Sequence, residues 1–307
     1  MTEAVLHESE TRFRALIERG RTVYRSSVWL IVAVVPVLAA MAAGPLRAQG
    51  CHGIRGGRAA AIAGVYVAGE AAAAAFHPSD WWQGPPGSFR LSWIYDGGSP
   101  AAGQDYLLHI AASYQASQVA ALAWEWACAP PMTAAWLGAA TAFAVGLPKK
   151  IVDGVHATGF ETAKNLANAV GALVPVAHRR WPATRAVTLK VWYWPSAEYR
   201  HRAPGAEPNL MSDYAGQRYY LSINPARGGV GPAWWPRWIG VAVGHSTPAW
   251  ITEFPARHEW YAALDLELRG LPVRASWWPR LAAVLDQVHF PAPGVRLANG
   301  SLAAGLF

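Results

Sequence analysis

Between Arg25 and Arg47 the chain runs for 21 residues, Ser26 to Leu46, without a charged side chain. Coiled as a helix at about 1.5 Å per residue, such a window is ~30 Å long, the thickness of a bilayer's hydrocarbon core. Its middle, from Trp29 to Leu38, is apolar throughout, and Pro36 is a residue that membrane helices tolerate. Arg12, Arg14, Arg19, Arg21 and Arg25 precede it. Arginine clusters stay on the cytoplasmic side, so residues 1–25 are expected inside and the bulk of the chain outside. Small residues from Ala39 to Gln49 resemble a signal-peptide cleavage region. The arginine-bearing tail is nevertheless long for a signal n-region, and Ala48-Gln49-Gly50 lacks the aliphatic residue that a lipobox places ahead of its cysteine. We read residues 26–46 as an uncleaved anchor in a bacterial inner membrane, with the bulk of the protein periplasmic.

The composition points the same way. Of 307 residues, 53% are apolar and only 15% charged, against about a quarter charged in an average soluble domain. That excludes disorder for most of the chain and leans toward membrane contact. Seventeen residues are tryptophan, which gathers at membrane–water boundaries and at protein interfaces because its ring is apolar and its N–H polar. Pairs stand at Trp81-Trp82, Trp234-Trp235 and Trp277-Trp278, the last two followed by Pro236-Arg237-Trp238 and Pro279-Arg280. The net charge is +7, and from Arg179 onward 14 Lys and Arg face 8 Asp and Glu, so nearly all of it lies there. No regular basic run with interleaved aromatics occurs, so nucleic acid is not an expected partner. Anionic head groups or an acidic partner surface fit better.

The expected fold class is α+β and membrane-anchored, with an N-terminal transmembrane helix, a helical middle and a small β-rich C-terminal module. Beyond the tail and anchor, the helical region covers 47–178 and the β-rich, Trp/Arg-rich module 179–307. Helices are predicted at Arg58–Phe76, Tyr106–Trp126, Met132–Val145 and Glu161–Val174. His109, Gln115, Gln118 and Glu125 make a membrane crossing by the second of these costly. After Arg180 the pattern alternates: Val187, Leu189, Val191 and Tyr193 fall on one strand face. Arg218–Asn224, Trp238–Gly244 and Glu259–Arg269 read likewise, a short helix follows at Pro279–His289, and Asn299-Gly300 signals a hairpin.

Asp105-Tyr-Leu-Leu-His109, Gly146-Leu-Pro-Lys149-Lys150-Ile-Val-Asp153-Gly154 and the stretch from Phe160 through Asn168 to Gly171, together with Asp213-Tyr-Ala-Gly-Gln-Arg-Tyr219, carry a resemblance. They look like the YfiM-type predicted periplasmic lipoproteins over roughly residues 100–307. The resemblance implies an envelope location and an α-then-β layout, and no reaction, since that family has no known activity. Lys150 stands where the family has Glu, and Lys164-Asn165 where it has an acidic residue, so any chemistry those acids perform lacks its groups in this chain.

Candidate chemistry is sparse. Asp105/His109 at i, i+4 and Asp153/His156 at i, i+3 each share a helix face, and two such pairs converging form a divalent-metal candidate. The bland alternative has Asp105 capping its helix and His109 hydrogen-bonded in the core. His109, in a small-residue helix, is also the one candidate cofactor ligand, although no cofactor is implied. Lys149 and Lys150 are expected to balance a helix C-terminus or meet lipid phosphate. Cys51 and Cys128 either pair or remain two thiols. Gly244-His-Ser-Thr-Pro248 departs from the nucleophile elbow at its second glycine, and no Walker loop, dinucleotide fingerprint or His-Glu-x-x-His occurs. No catalytic residue is assigned. The leading expectation is a non-enzymatic accessory subunit of a larger bacterial membrane complex, energy-transducing or envelope. Its partners are membrane proteins and lipid head groups, met through Trp234, Trp235, Arg237, Trp238, Trp277, Trp278 and Arg280. A lipid- or cell-wall-directed metal-dependent hydrolase and a free-standing lipoprotein-like envelope factor are the rival readings.

Overall fold

The computed structural model describes residues 51, 53–75, 85–94, 101–156, 159–202, 212–252 and 256–307. The anchor expected at 26–46 and the pair Trp81-Trp82 lie outside them. Among the described residues no helix is long and apolar enough to cross a membrane. The architecture is α+β: four helices come first, α1 (Gly56–Ala75), α2 (Gln104–Trp126), α3 (Pro131–Gly154) and α4 (Thr162–Arg180). Two-residue strands β1 (Leu91–Ser92) and β2 (Phe160–Glu161) pair beside them in parallel.

Helices α2, α3 and α4 pack through small residues. Ala135, Ala139, Ala142, Ala172 and Val176 form their apolar core, and two glycines let backbones touch. A Cβ on Gly138 would lie 2.6 Å from the Ser117 carbonyl oxygen, and one on Gly171 only 2.1 Å from that of Ile110. Such close approach is how helices associate where apolar burial gives little drive. Gly171→Ala is therefore expected to push α4 off α2 and to lower stability by about 1–3 kcal/mol. A urea midpoint that does not move would contradict this close approach of the two backbones.

Helix α3 differs from expectation by running to Gly154 rather than stopping near Val145, with Pro148 inside it. Ala144 and Pro148 are both exposed, so the turn that the proline interrupts lies on the helix's outer surface. The last turns are held by Lys149 and Lys150 on Asp153. Cys51 and Cys128 form a disulfide, which fastens the start of α1 to the end of α2. Arg58 of α1 adds a bond to the Trp126 carbonyl at 2.6 Å and lies over its indole.

The second half is a six-stranded antiparallel meander, β3 (Val187–Tyr193), β4 (Gln217–Ile223), β5 (Ile239–Ser246), β6 (Glu259–Leu266), β7 (Pro293–Ala298) and β8 (Ser301–Leu306), in sequence order. Between them stand the short helices α5 (Ala197–His201), α6 (Pro225–Gly228) and α7 (Trp278–Leu285). The β7–β8 turn is the predicted one, with Asn299 and Gly300 both at positive φ as a tight hairpin requires. Segment 287–292 draws the sheet's two ends together. Its backbone bonds Val191 of β3 through Gln287 and His289, and Ala292 exchanges two bonds with Phe307 beyond β8.

The polarity of this sheet is inverted. One face carries Val187, Leu221, Val241, Val243, Trp260, Leu264, Leu297, Leu302 and Leu306, all exposed. The opposite face carries Thr188, Lys190, Ser222, Tyr220, Tyr261, Asp265 and Glu259, all buried. The helices follow suit. The outer surface of α3 shows Trp136, Ala140, Ala144 and Ile151, and that of α4 shows Leu166, Val170 and Leu173. Their inner faces bury Lys150, Asp153, Asn165 and Asn168. A sheet face packed on a core is ordinarily its apolar one; here the apolar face is the exposed one.

Candidate functional site

Two polar constellations lie inside the molecule, one between the helices and one within the curl of the sheet. The first gathers residues from three separated stretches of sequence. Lys164 of α4 reaches Glu161 at 2.8 Å and Asp105 of α2 at 3.1 Å. Tyr106 donates to Glu161 at 3.0 Å. Lys149 bonds Asp153 at 2.9 Å, and Lys150 lies 3.7 Å from the same carboxylate. His109 and Ser113 both hydrogen-bond the Asn168 amide oxygen at 3.0 Å. Three carboxylates thus meet three ammonium groups.

That balance revises the metal candidates. Asp105 and Asp153 are engaged by lysines, and His156 uses Nδ1 on the Val152 carbonyl of its own helix. No group of three or more His, Cys, Asp or Glu suited to a metal occurs among the described residues. Asp105 is not the helix cap either: Gly103, at φ 82°, stands at the cap, and Asp105 pairs with Lys164 from the first turn.

Burial, and then the charges of Lys150 and Lys164, push the His109 imidazole down to about 3, against a weaker pull from its bond to Asn168. Burial, with Lys149 beside it, also lowers the Lys150 ammonium to about 8. His109 is therefore held neutral in the fold while the unfolded chain protonates near 6.5. Its contribution to stability is complete above pH 6.5 and is lost as the pH falls from there toward 3. The slope in that window approaches about 1.4 kcal/mol per pH unit. Denaturation midpoints measured from pH 8 to pH 4 should be level at first and then fall. His109→Gln, which keeps an amide beside Asn168, should flatten the fall, and an unchanged profile would count against this role.

The second constellation is sealed. Lys190, with no exposed surface, lies 2.6 Å from Asp265 and 3.2 Å from Glu267, and donates to the Leu266 carbonyl at 2.8 Å. Ser222 donates to Asp265 at 2.5 Å, and Arg227 reaches Glu267 at 2.7 Å. The His289 ring bridges two oxygens, with Nδ1 2.7 Å from Asp265 and Nε2 2.9 Å from the Phe307 carbonyl. Tyr220 stacks on it at 3.8 Å. Burial drives the Asp265 carboxyl up, but the bonds from His289, Lys190 and Ser222 outweigh it and hold it below its usual range. At Glu267 burial wins over Arg227 and Lys190, and the carboxyl is raised.

Sequence reasoning passed over this network. The signal was present, since Thr188 and Lys190 alternate with the apolar residues of β3, and Glu259, Asp265 and Glu267 with those of β6. A period of two says that two faces differ, and it does not say which of them is buried.

Asp213, from the last stretch of the resemblance, is buried and accepts from the Ser196 backbone at 3.0 Å and from Tyr193 at 3.1 Å. It fixes the connection from β3 into β4. Gln104 then ties α2 to the sheet through the Gln217 and His245 carbonyls at 3.3 and 3.4 Å. Of the tryptophan–arginine residues, Trp234 (75% exposed), Trp238 and Trp277 are exposed, as is Arg237. Trp235, Trp278 and Arg280 are half-buried, and the Trp235 indole N–H bonds the Ile239 carbonyl at 2.8 Å. Within each pair the rings lie close, 5.7 Å apart in Trp234-Trp235 and 5.9 Å in Trp277-Trp278.

Comparison with family models, with characterised proteins and with solved structures finds no match to this chain.

Proposed function

We propose that the protein is a non-enzymatic subunit of a bacterial envelope membrane complex, seated among membrane proteins and lipid by its apolar exterior. One observation carries the reading: the sheet and helices α3 and α4 bury Lys190, Asp265, Lys150, Asp153 and Asn168 while Leu, Val, Ile and Trp side chains of the same elements stand exposed. Intramembrane proteins face their polar groups to the interior in this way. The sealed Lys190–Asp265–Glu267–His289 network supports a structural role, because a group no substrate reaches performs no reaction on one. The disulfide supports an oxidising compartment outside the cytoplasm. The family resemblance adds an envelope location, consistent with both.

Within this reading, Trp234 and Trp277 are contacts for neighbouring membrane proteins. Exposed tryptophans of this kind are typical binding anchors, and truncating a well-buried one costs ~2 kcal/mol or more. The double variant Trp234→Ala/Trp277→Ala is expected to stay folded and membrane-bound while its co-purifying polypeptides in mild detergent fall at least tenfold. If the variant unfolds, these rings belong to the core. If its companions are unchanged, the complex is held elsewhere.

A further inference from the structure

The outward face of β4 to β8 is apolar and exposed over most of its extent, giving way at one end to the buried Gln217, Tyr219 and His245. Leu221, Val241, Val243, Ala262, Leu264, Val295, Leu297, Leu302 and Ala304 occupy paired positions across neighbouring strands. Strands of 6–8 residues at ~3.4 Å per residue and ~4.8 Å apart make it on the order of 500 Å², the size at which an exposed apolar patch commonly marks a binding surface. Its two ends carry exposed tryptophans. Antiparallel pairing puts Trp238, just before β5, at one end, and Trp260 of β6 with Trp194 just after β3 at the other.

The charge around this face is one-sided. Of the six described Asp and Glu from residue 179 onward, five are buried: Asp213, Glu259, Asp265, Glu267 and Asp286. Of the 14 Lys and Arg there, only Lys190 is buried. Arg237 and Arg274 are exposed near one end of the face and Arg257 at the other. We propose, resting on the membrane-seated reading above, that this face lies on a leaflet of anionic phospholipid, acyl chains against the strands and head-group phosphates against the arginine rim. A second copy is a poorer occupant: a stable interface buries about 800 Å² on each partner, and two like-charged rims would confront one another. The strands are also shorter than the 9–11 residues that cross a bilayer, so the sheet lies on the membrane rather than through it. The outer edge of β8 then remains at the polar interface, where water and head groups answer its backbone.

The test is photo-cross-linking of the full chain reconstituted in phosphatidylcholine vesicles with and without phosphatidylglycerol. Benzoylphenylalanine replaces Val243 or Leu264 on the face, or Thr184 off it; all three positions are exposed. Adducts one phospholipid heavier at 243 and 264, several-fold above those at 184, are expected. Their yield should rise with phosphatidylglycerol, and Arg237→Glu with Arg257→Glu should abolish that rise while leaving the circular dichroism unchanged. Chains cross-linked to each other, or a protein that floats with vesicles yet gives no lipid adduct, would overturn the proposal and leave the membrane-seated reading standing. A protein that does not float at all would overturn both.

Discussion

Lys190→Met is expected to destabilise the sheet module by about 3–5 kcal/mol. The ammonium group is enclosed and balances Asp265 and Glu267 at once, at 2.6 and 3.2 Å. Removing one partner of a buried pair leaves charge that no water solvates, and that desolvation, rather than the lost attraction, sets the size of the effect. Methionine nearly preserves the volume, so cavity formation adds little. Arg227 and His289 remain beside the two carboxylates, which keeps the expected loss within that range. Adding Asp265→Asn and Glu267→Gln should restore a large share of the stability, because it withdraws the uncompensated charge. Urea unfolding followed by tryptophan fluorescence measures all three proteins. A loss below about 1 kcal/mol for Lys190→Met would mean that water reaches the cluster.

The next largest effect is expected from the disulfide. Cys51 and Cys128 are 77 positions apart, and cross-linking a loop that long removes chain entropy from the unfolded state worth about 4 kcal/mol. Cys51→Ser should therefore lower Tm by roughly 10 °C, at 2–4 °C per kcal/mol for a chain near this size. The loss should be local in its origin. Helix α1 is otherwise joined to the end of α2 by the Arg55–Ala127 backbone bond and by Arg58, so amides of α1 should exchange first, while those of β3 to β6 keep their protection. Equal loss of protection throughout would indicate a single cooperative unit. No change in Tm would mean the bridge does not form.

These predictions also mark what the sequence disclosed. The order of elements was legible, because helical and alternating patterns separate cleanly near Arg180 and the Asn299-Gly300 turn admits few other conformations. The β3 strand lies at Val187–Tyr193 as expected. What could not be read was direction. Val187 and Leu189 alternate with Thr188 and Lys190 whether the apolar set faces inward or outward, and only burial decides between them. The end of α3 was misread for a related reason: Pro148 signals a stop, and the compensation from Lys149 and Lys150 on Asp153 appears only once the helix is formed. The helical site was half legible. Asp105, His109 and Asp153 do lie in one polar interior, but Lys164 and Asn168, which pair with Asp105 and His109, come from a helix more than 50 residues later than Asp105, and helical spacing along one segment cannot bring those in.

The central claim is that the apolar exterior of the described molecule seats it in a membrane, independently of the anchor expected at 26–46. Vesicle flotation of the full chain with the anchor disabled by Val34→Arg and Val37→Arg tests it directly. The exterior of β4 to β8, α3 and α4 is unchanged in that variant, so it should still float with anionic vesicles and should aggregate when both detergent and lipid are withdrawn. A variant that remains monomeric in plain buffer and stays at the bottom of the gradient would contradict the account.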